Sequence, residues 1–519
     1  MAQSSVTQSA AIEFLADPAT HGFSADEVKQ IHTHGAIVFL AGPRVYKIKR
    51  AVKYPYLDFS TLEKRKAAIA AEIGANKPFS PELYEGMVPV RRGAGGKLAL
   101  EGKGEVVEWA LVMRRFDENA TLDHVAAAQG IGDPLARALG EAVAAAHAKS
   151  PTFPVADWIE ALGRFVDDET TAIVAAADVI ARKDAVALGE ALRASLARIA
   201  PLLYARGDAG HVRRGHGDLH LRNVALIDNK PVLFDALEFD PVVAAGDVLY
   251  DLAFLMMDLL DRKLDRAANI VFNRYLVAAG HDEHLEALAA LPFFLAMRAA
   301  IRARVALDKR KLVQGVERAA AEAEARDYVA LASTLVAPPA ARLVAIGGLS
   351  GTGKSTIAAG LAPSILPAPG AVHLRSDVER KRLAGVGEFD RLPPSAYTEE
   401  SATRVYARLY HLARRTLGAG HSVFVDAVHA RAGERDTLEE LALGLRVPFQ
   451  GIWLDLSLEE RVKRVRARKP DASDADAAVV RAQEEHDLGE IRWARIDAAG
   501  TPEEVVARAR LALALAPSP

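Results

Sequence analysis

Residues 342–356 read RLVAIGGLSGTGKST. An apolar run of the kind that forms a buried strand leads directly into a glycine-rich segment that fits the pattern G-x-x-x-x-G-K-[ST]. The pattern places Gly348, Gly353, Lys354 and Ser355. The glycines allow successive backbone N–H groups to curl around phosphate oxygens without clashes from Cβ atoms. The stretch therefore predicts a strand, a phosphate-binding loop and a helix, in that order.

Apolar runs and helical stretches alternate from this strand to the end of the chain. The runs are RLVAIGG, AVHLRSD, SVFVDA, FQGIWLDL and IRWARIDA. Continuous apolar strands separated by helices imply a parallel sheet covered on both faces. The closing helix has a start signal, TPEE, with Thr501 as cap and Pro502 at the first helical position. Residues 342–519 are therefore predicted to form a doubly wound α/β domain of the P-loop type.

The phosphate-binding loop predicts how ATP and Mg²⁺ would be held. Lys354 is expected to reach the β- and γ-phosphates, and the Ser355 hydroxyl is expected to bind Mg²⁺. The other expected nucleotide-binding residues of the loop are Gly348, Ser350, Gly351, Thr352, Gly353 and Thr356.

Two acidic residues stand where open α/β sheets place their ligands, at the ends of strands. Asp377 follows the second apolar run, and Asp426 ends the third, where an acid can bind Mg²⁺ or a substrate hydroxyl. Alternatives remain for both. Ser376 and Glu379 form the pattern of a capping box, so Asp377 could only favour the helix dipole, and Asp426 could belong to a turn.

Arginines four residues apart precede a loop rich in Pro, Asp and Ser. Arg464 and Arg468 fall on one helical face, which suits a lid that closes on the transferring phosphoryl group. Arg461 and Arg466 are expected on a solvated helix face.

These motifs are similar to those of the P-loop small-molecule kinases, in particular the gluconate-kinase-like and zeta-toxin-like groups. The resemblance rests on GLSGTGKST, RSDVERKRL, VDAVHARAGERD and the arginine-bearing segment, and covers about residues 341–515. It implies that Asp377 faces the acceptor hydroxyl as a base and that the lid arginines stabilise the transition state.

A second phosphoryl-transfer pattern lies about 130 residues earlier, in HGDLHLRN at 216–223. Asp218 and Asn223 have the spacing D-x-x-x-x-N, in which the Asp orients and deprotonates an acceptor hydroxyl and the Asn binds a metal ion. A second metal carboxylate is needed after a following strand, and Asp235 in PVLFDALEF supplies it. A turn-forming Asp is the alternative for Asp218 alone.

Residues 30–330 resemble the aminoglycoside phosphotransferase family of kinase-like small-molecule kinases. The resemblance is carried by HGDLHLRN, FDALEFD and GDVLYDLAF, and implies that Asp251 braces the catalytic loop. The family also requires an N-lobe lysine on the nucleotide phosphates, for which Lys47 is preferred over Lys49. A helix glutamate pairs with this lysine; the candidates are Glu72 and, as the alternative, Glu63. No G-x-G-x-x-G precedes the lysine, which argues against a protein kinase.

The bulk composition sets the remaining limits. The net charge of −3 provides no global field for nucleic acid or an anionic membrane, and the absence of cysteine excludes disulfides and thiolate catalysis. No signal peptide is apparent, so a cytoplasmic protein is expected. At 519 residues the chain exceeds one hydrophobic core. The predicted divisions are a kinase-like N-lobe at 1–115, a helical C-lobe at 116–335, a linker at 336–341 and the P-loop domain.

Three functions are consistent with these patterns. The preferred hypothesis is a bifunctional ATP- and Mg²⁺-dependent kinase that phosphorylates hydroxyl groups of small molecules, of the sugar or aminocyclitol type, at two separate sites. A second hypothesis makes one unit a nucleotide-binding sensor that regulates the other. A third is a zeta-toxin-like kinase that acts on nucleotide sugars.

Overall fold

The computed structural model describes residues 2–22, 28–33, 35–54, 57–238, 240–467 and 471–515. The chain divides into two compact units. Unit 1 comprises residues 1–165 and 200–258, and unit 2 comprises residues 166–199 and 259–519. The predicted doubly wound domain lies within unit 2, together with helices from the predicted C-lobe. The four predicted domain ranges stay a prediction.

Unit 1 begins with a helix and a six-stranded antiparallel sheet in the order β1-β2-β3-β8-β6-β7. Helix α1, Ala2–Ala16, packs Ala11 and Leu15 against strand residues such as Phe39 and Ile48 on one face of the sheet. The strands are β1 Lys29–His32, β2 Ala36–Ala41, β3 Arg44–Lys49, β4 Lys53–Tyr54, β5 Leu57–Asp58, β6 Tyr84–Arg92, β7 Leu98–Ala99 and β8 Glu105–Arg114, of which β4 and β5 form a separate pair.

Helix α2, Leu62–Asn76, covers the other face of this sheet. Thr61 caps it by accepting the Lys64 N–H at 3.3 Å, and Ile69 packs with Leu111 of β8. The helix expected to carry the lysine-pairing glutamate is thus found at α2, whereas α1 was not predicted.

The rest of unit 1 is mainly helical, and short strands frame HGDLHLRN. The helices are α3 Leu122–Gln129, α4 Asp133–Lys149, α5 Val155–Ala175, α6 Arg182–Asp208, α7 Pro241–Ala244 and α8 Val248–Asp261, of which α5, α6 and α8 cross the limits of the units. The strands are β9 Val212–Arg214, β10 Val224–Ile227, β11 Lys230–Leu233 and β12 Ala245–Asp247, paired β10 with β11 and β9 with β12.

Unit 2 contains a five-stranded sheet in which every pairing is parallel, in the order β14-β15-β13-β16-β17. The strands are β13 Leu343–Gly347, β14 Val372–Arg375, β15 Val423–Asp426, β16 Phe449–Asp455 and β17 Ala494–Asp497. Each of the five apolar runs thus forms a strand, which confirms the predicted doubly wound domain. The central strands β13 and β15 are buried along their whole length, as expected where helices cover both faces, whereas the edge strand β17 is mostly exposed.

The helices of unit 2 include the capped C-terminal helix. Thr501 and Glu504 form the capping box of the last helix, which starts at Pro502 as predicted. The helices are α9 Asp265–Ala279, α10 His281–His284, α11 Leu291–Lys309, α12 Gly315–Val336, α13 Lys354–Leu361, α14 Ser376–Leu383, α15 Glu399–Gly418, α16 Ala432–Leu445, α17 Leu458–Ala467, α18 Ala477–Ala482 and α19 Pro502–Ala512.

Within the described residues, one helical run, Asp282–Lys309, is long and apolar enough to cross a membrane. Of its most apolar window, 78% is buried within the protein, as in the core helix of a globular fold.

Candidate active sites

The catalytic-loop pattern lies between β9 and β10 in unit 1. Asn223 is buried and donates its side-chain amide to the Asp218 carboxylate at 3.0 Å and to the Asp218 carbonyl at 2.9 Å. The Asp218 side chain keeps 35% of its surface exposed. The Asn223 amide therefore holds the base candidate Asp218 in place, while the exposed part of its carboxylate stays accessible to an acceptor hydroxyl.

Asp251 holds the backbone of this loop. Its carboxylate accepts the His216 N–H at 2.8 Å and the Gly217 N–H at 2.9 Å, and His147 Nε2 lies 3.0 Å away. Gly217 has φ +80°, a conformation that disfavours residues with a Cβ. The contacts agree with the bracing role that the family resemblance implies for Asp251.

The Asp235 backbone adopts a left-handed conformation, with φ +61°, that non-glycine residues rarely take. Two buried side chains stabilise it: the Tyr84 hydroxyl accepts the Asp235 N–H at 3.0 Å, and Asn76 Oδ1 accepts the Ala236 N–H at 2.8 Å. Sequence reasoning missed both residues. The available signal was Asn76, a polar residue at the end of the buried face of α2, which also carries Arg65 and Glu72.

Two lysines of β3 share one glutamate. Lys47 Nζ lies 2.8 Å from Glu72 Oε1, and Lys49 Nζ lies 2.7 Å from Glu72 Oε2. Lys47 is also 3.5 Å from the Asp235 carboxylate, whereas Lys49 pairs with Glu238 at 2.7 Å. The contact with Asp235 favours Lys47 as the nucleotide-binding lysine, although the choice stays a prediction.

Electrostatics keep Glu72 ionised in a buried position. Burial by itself would raise the pKa of Glu72, but Lys47 and Lys49 lower it from 4.5 to about 2. Burial likewise opposes the charge of Lys47, and Glu72 and Asp235 raise its pKa well above the ordinary value. The alternative glutamate, Glu63, is exposed in the first turn of α2.

Replacing Glu72 with glutamine should destabilise unit 1 by about 3–5 kcal/mol, because the buried Lys49 and the partly buried Lys47 lose a shared counter-charge. Since the folded pKa is depressed, the contribution of Glu72 is full above about pH 4.5 and is lost as the pH falls toward about 2. Urea denaturation of Glu72→Gln and wild type, at neutral pH and in acid, measures both effects. The exposed Glu63→Gln variant is the control. An equal loss in both variants, or a loss that persists in acid, would contradict the assignment.

A cavity of about 560 Å³ opens among these residues. Its lining includes Lys47, Asp218 and Asp235, and most of its other lining residues are apolar, which suits an adenine ring. Met113, Arg114 and Phe116, at the end of β8 and just beyond it, also line the cavity. The other lining residues are Ile31, Thr33, Gly35, Ala36, Val38, Leu40, Val45, Lys49, Phe59, Tyr84, Glu118, Phe234, Leu237 and Glu238.

The donor set of this site suits Mg²⁺. Asn223 and Asp235 offer amide and carboxylate oxygens, the ligands that this cation prefers. The Asp235 side chain is 52% exposed and lines the cavity, so its oxygens are accessible to an ion.

The phosphate-binding loop of unit 2 has the conformation that its glycines permit. Gly348, Gly351 and Gly353 have φ +140°, +88° and +93°. A Cβ at Gly351 would lie 2.7 Å from the carbonyl of Arg461, and one at Gly348 would lie 2.8 Å from the carbonyl of Leu454. Substitution at either glycine would therefore deform the loop.

Lys354 and Ser350 make contacts within this loop that a nucleotide would replace. Lys354 Nζ donates to the Leu349 carbonyl at 3.2 Å. The Ser350 N–H donates to the side-chain oxygen of Gln483 at 2.7 Å, in the short helix Gln483–Glu485. The side-chain oxygen of Gln483 thus occupies an N–H donor of the loop that would otherwise bind a phosphate oxygen.

Replacing Gln483 with alanine should increase the affinity of unit 2 for ATP. The variant no longer has to break the hydrogen bond to Ser350 before phosphate binds, a contribution of about 0.5–1.5 kcal/mol, or roughly 2- to 10-fold in the dissociation constant. Titration with a fluorescent ATP analogue measures the change, with the exposed Glu485→Ala as control. Weaker binding in Gln483→Ala would instead show that Gln483 contacts the nucleotide.

Asp377 and Asp426 lie at the carboxyl ends of adjacent parallel strands. Asp426 is in register with Ile346 and with Arg375, and Asp377 follows Arg375 by two residues. Both acids therefore lie at the edge of the sheet where the phosphate-binding loop begins. The alternative for Asp377 loses support: Ser376 does not cap α14, and Glu379 is fully buried and pairs with Arg408.

The surroundings of Asp377 and Asp426 shift their pKa values in opposite directions. Burial raises the pKa of Asp377, with Arg375 and Lys354 opposing it. Burial also acts on Asp426, but His373, Arg375 and Lys354 lower its pKa to about 2. Such a pair suits a proton-accepting base at Asp377 and a permanently ionised ligand at Asp426. With the Ser355 hydroxyl, Asp426 offers oxygen ligands that fit Mg²⁺.

The arginines of the predicted lid have different surroundings. Arg464 donates to the carbonyls of Thr352, Ala498 and Gly500 at 3.3, 2.8 and 3.1 Å, so it contacts the loop backbone. Arg468 lies outside the described residues.

The prediction for Arg461 was wrong. Its side chain is only 2% exposed, pairs with Glu484 and donates to the Leu456 carbonyl at 3.2 Å, because this face of α17 packs against the phosphate-binding loop. Arg466 is exposed, as predicted.

Two family models match the chain, one in each half. A model described as "Phosphotransferase enzyme family" matches residues 61–291, and one described as "AAA domain" matches residues 343–486. The first range contains HGDLHLRN and Asp235, and the second contains the phosphate-binding loop and both acids.

The chain is 30% identical over 492 residues to the uncharacterized protein Rv2004c of Mycobacterium tuberculosis, covering 92% of this chain and 93% of that protein. The uncharacterized protein Mb2027c of Mycobacterium bovis matches to the same extent.

Two kinases are among the solved structures that resemble parts of the chain. A choline/ethanolamine kinase family protein from Mesorhizobium loti covers 63% of this chain and 95% of its own, at 17% identity and a TM-score of 0.38. A gluconokinase from Sinorhizobium meliloti 1021 covers 33% of this chain and 91% of its own, at 22% identity and a TM-score of 0.25.

Proposed function

The chain belongs to the same family as the mycobacterial protein Rv2004c, and we propose that it is bifunctional, with the sites of both its phosphotransferase domain and its P-loop kinase domain catalytically active. The enzyme class itself, an ATP-dependent phosphotransferase, follows from the two domains. The proposed acceptors are hydroxyl groups of small molecules of the sugar or aminocyclitol type.

The observation that supports two active sites is that each unit retains a full set of groups. Unit 1 places Asp218, Asp235 and Lys47 on one cavity. Unit 2 places Asp377 and Asp426 at the sheet edge that carries the phosphate-binding loop. A module that only bound nucleotide would have no need of a base in addition to its phosphate-binding groups.

In unit 1, each site residue is assigned a separate role in phosphoryl transfer. Asp218 accepts the proton of the acceptor hydroxyl, and Asn223 keeps its carboxylate in place. Lys47 neutralises phosphate charge, and Glu72 orients it. Asn223 and Asp235 would hold Mg²⁺, which supplies charge neutralisation at the phosphates.

In unit 2, Asp377 takes the role of base and Lys354 that of phosphate-binding cation. Ser355 and Asp426 would hold Mg²⁺, and the loop N–H groups bind the phosphate oxygens. Arg464, and Arg468 beyond it, are proposed to stabilise the charge that develops on the transferring group.

A screen of sugars, aminoglycosides and nucleosides for ATP-dependent phosphorylation tests this proposal. It compares wild type with Asp218→Asn and Lys354→Ala, and we expect each variant to lose a different subset of products. If one substitution abolishes all transfer and the other none, one unit only regulates, as in the second hypothesis. Products confined to nucleotide sugars and lost in Lys354→Ala would support the zeta-toxin-like alternative.

A further inference from the structure

Helix α9 lies along the open edge of β14, the first strand in the order of the parallel sheet. Asn273 donates to the Ala371 carbonyl at 3.1 Å and accepts the His373 N–H at 2.7 Å, and Asn269 donates to the same carbonyl at 3.1 Å. These amides satisfy backbone groups that a further strand would otherwise pair. The strand that leads to Asp377 is thus fixed by a helix outside the P-loop motifs.

Strand β14 brings one imidazole and one guanidinium side chain toward Asp426. His373 Nε2 lies 3.2 Å from the Asp426 carboxylate, and Arg375 Nε lies 3.8 Å from it. Alternate residues of a strand share a face, so both side chains approach from the same side. Arg375 therefore lies beside the metal-ligand candidate Asp426 and two residues before the base candidate Asp377.

Glu388 lies between two arginines. It forms a close ion pair with Arg274 of α9, and its other oxygen is 3.9 Å from Arg375 Nη1. All three side chains are largely buried, with 13–16% of their surface exposed. Charges in such surroundings interact more strongly than on the surface. Which of the two arginines pairs with Glu388 therefore affects how the other is held.

The guanidinium of Arg375 has hydrogen-bonding capacity to spare. The carboxylates of Glu388, Asp426 and Asp471 lie 3.8–3.9 Å from it, beyond hydrogen-bond distance. Its Nε is buried and has no hydrogen-bond partner among the described residues. A guanidinium carries five donors, and buried donors are normally satisfied. The unused donors therefore point to a ligand that accepts hydrogen bonds and carries negative charge.

We propose that Arg375 binds an oxyanion in the P-loop site and that Arg274 is a positioning residue that keeps Arg375 available by neutralising Glu388. Without Arg274, Glu388 would close its 3.9 Å gap and form a bidentate pair with Arg375. The oxyanion is either the phosphoryl group in transfer or an acidic group on the acceptor. The inference rests on the proposed kinase activity of unit 2.

A rescue experiment in the full chain tests this mechanism, with unit 1 silenced by Asp218→Asn. Arg274→Ala should lower ATP turnover by unit 2 about 10- to 100-fold. Adding Glu388→Gln removes the competing carboxylate and should restore turnover to within about threefold. Arg266→Ala is the control, because Arg266 lies on the same helix and contacts the Ala359 carbonyl at 3.1 Å. It should leave turnover unchanged.

A second measurement does not depend on the acceptor. The rate at which phenylglyoxal modifies Arg375, followed by peptide mass spectrometry, should fall in Arg274→Ala and recover with Glu388→Gln. If no variant turns over ATP, the proposed function of unit 2 fails, whereas the modification rates still test the contact. A double variant no better than Arg274→Ala in the modification rate would overturn the inference.

Arg375→Ala distinguishes the two sources of the oxyanion. If Arg375 contacts the phosphoryl group, turnover falls with every acceptor, including water. If it contacts an acidic group of the acceptor, only the KM for that acceptor rises, and slow ATP hydrolysis is unchanged. Unchanged kinetics in all cases would exclude Arg375 as an oxyanion ligand.

Discussion

Replacing Asp218 with asparagine should lower phosphoryl transfer by unit 1 by about 10²- to 10⁴-fold, the usual contribution of a general base. The substitution keeps the size of the side chain. It also keeps an oxygen that can accept the hydrogen bond from the Asn223 amide, which is 3.0 Å long in the wild-type protein. The loop backbone should also persist, since Asp251 holds it through His216 and Gly217. The loss should therefore appear in kcat, while the affinity for ATP stays within about twofold.

Steady-state kinetics on a product lost in this variant, together with binding of a fluorescent ATP analogue, make the test. Asp157→Asn is the matched control, because Asp157 is an exposed aspartate on α5 of the same unit. It should behave as wild type. A variant that transfers phosphate at the wild-type rate would remove Asp218 from the mechanism. Loss of ATP binding would instead indicate a collapsed site.

Replacing Lys354 with alanine should reduce both nucleotide affinity and turnover in unit 2, with turnover falling by about 10²- to 10³-fold. The Lys354 ammonium group is expected to bind the β- and γ-phosphates of the nucleotide. Within the loop it donates a hydrogen bond to the Leu349 carbonyl at 3.2 Å. Because Lys354 is partly exposed, its removal should change the free energy of unfolding by less than about 1 kcal/mol. The variant should therefore lose nucleotide binding and turnover while its free energy of unfolding stays nearly unchanged.

Nucleotide titration and thermal unfolding of the full chain measure these two effects. Lys463→Ala is the matched control, since its side chain is 74% exposed on α17 and pairs only at the surface with Glu460. Unit 1 provides an internal control, because its products should form at the wild-type rate in Lys354→Ala. Unimpaired ATP binding in unit 2 would show that the loop does not hold phosphate through this lysine.

Much of the fold was readable in the sequence because the signals were local. Five apolar runs predicted five strands, and TPEE predicted the start of the last helix at Pro502. The predicted helix in unit 1 was found at α2, Leu62–Asn76. Period, capping residues and glycine conformation are properties of neighbouring residues, so they need no knowledge of the rest of the chain.

The site residues that sequence reasoning missed all act across long distances in the chain. Asn76 contacts Ala236, 160 residues away, and Tyr84 contacts Asp235, 151 residues away. No spacing rule links such pairs, because the packing of α2 and β6 against the loop brings them together. The error at Arg461 has the same origin: its charge suggested solvent, but the packing of α17 placed it under the phosphate-binding loop.

The sequence alone determined the order of strands in the P-loop domain and the two phosphoryl-transfer patterns, since each is encoded in a contiguous stretch. Only the tertiary structure decided which charges meet. It placed Lys47 and Lys49 on one glutamate, and it brought Arg274 to Glu388, 114 residues away. The physical reason is that backbone conformation depends on neighbours along the chain, whereas burial and ion pairing depend on neighbours in space.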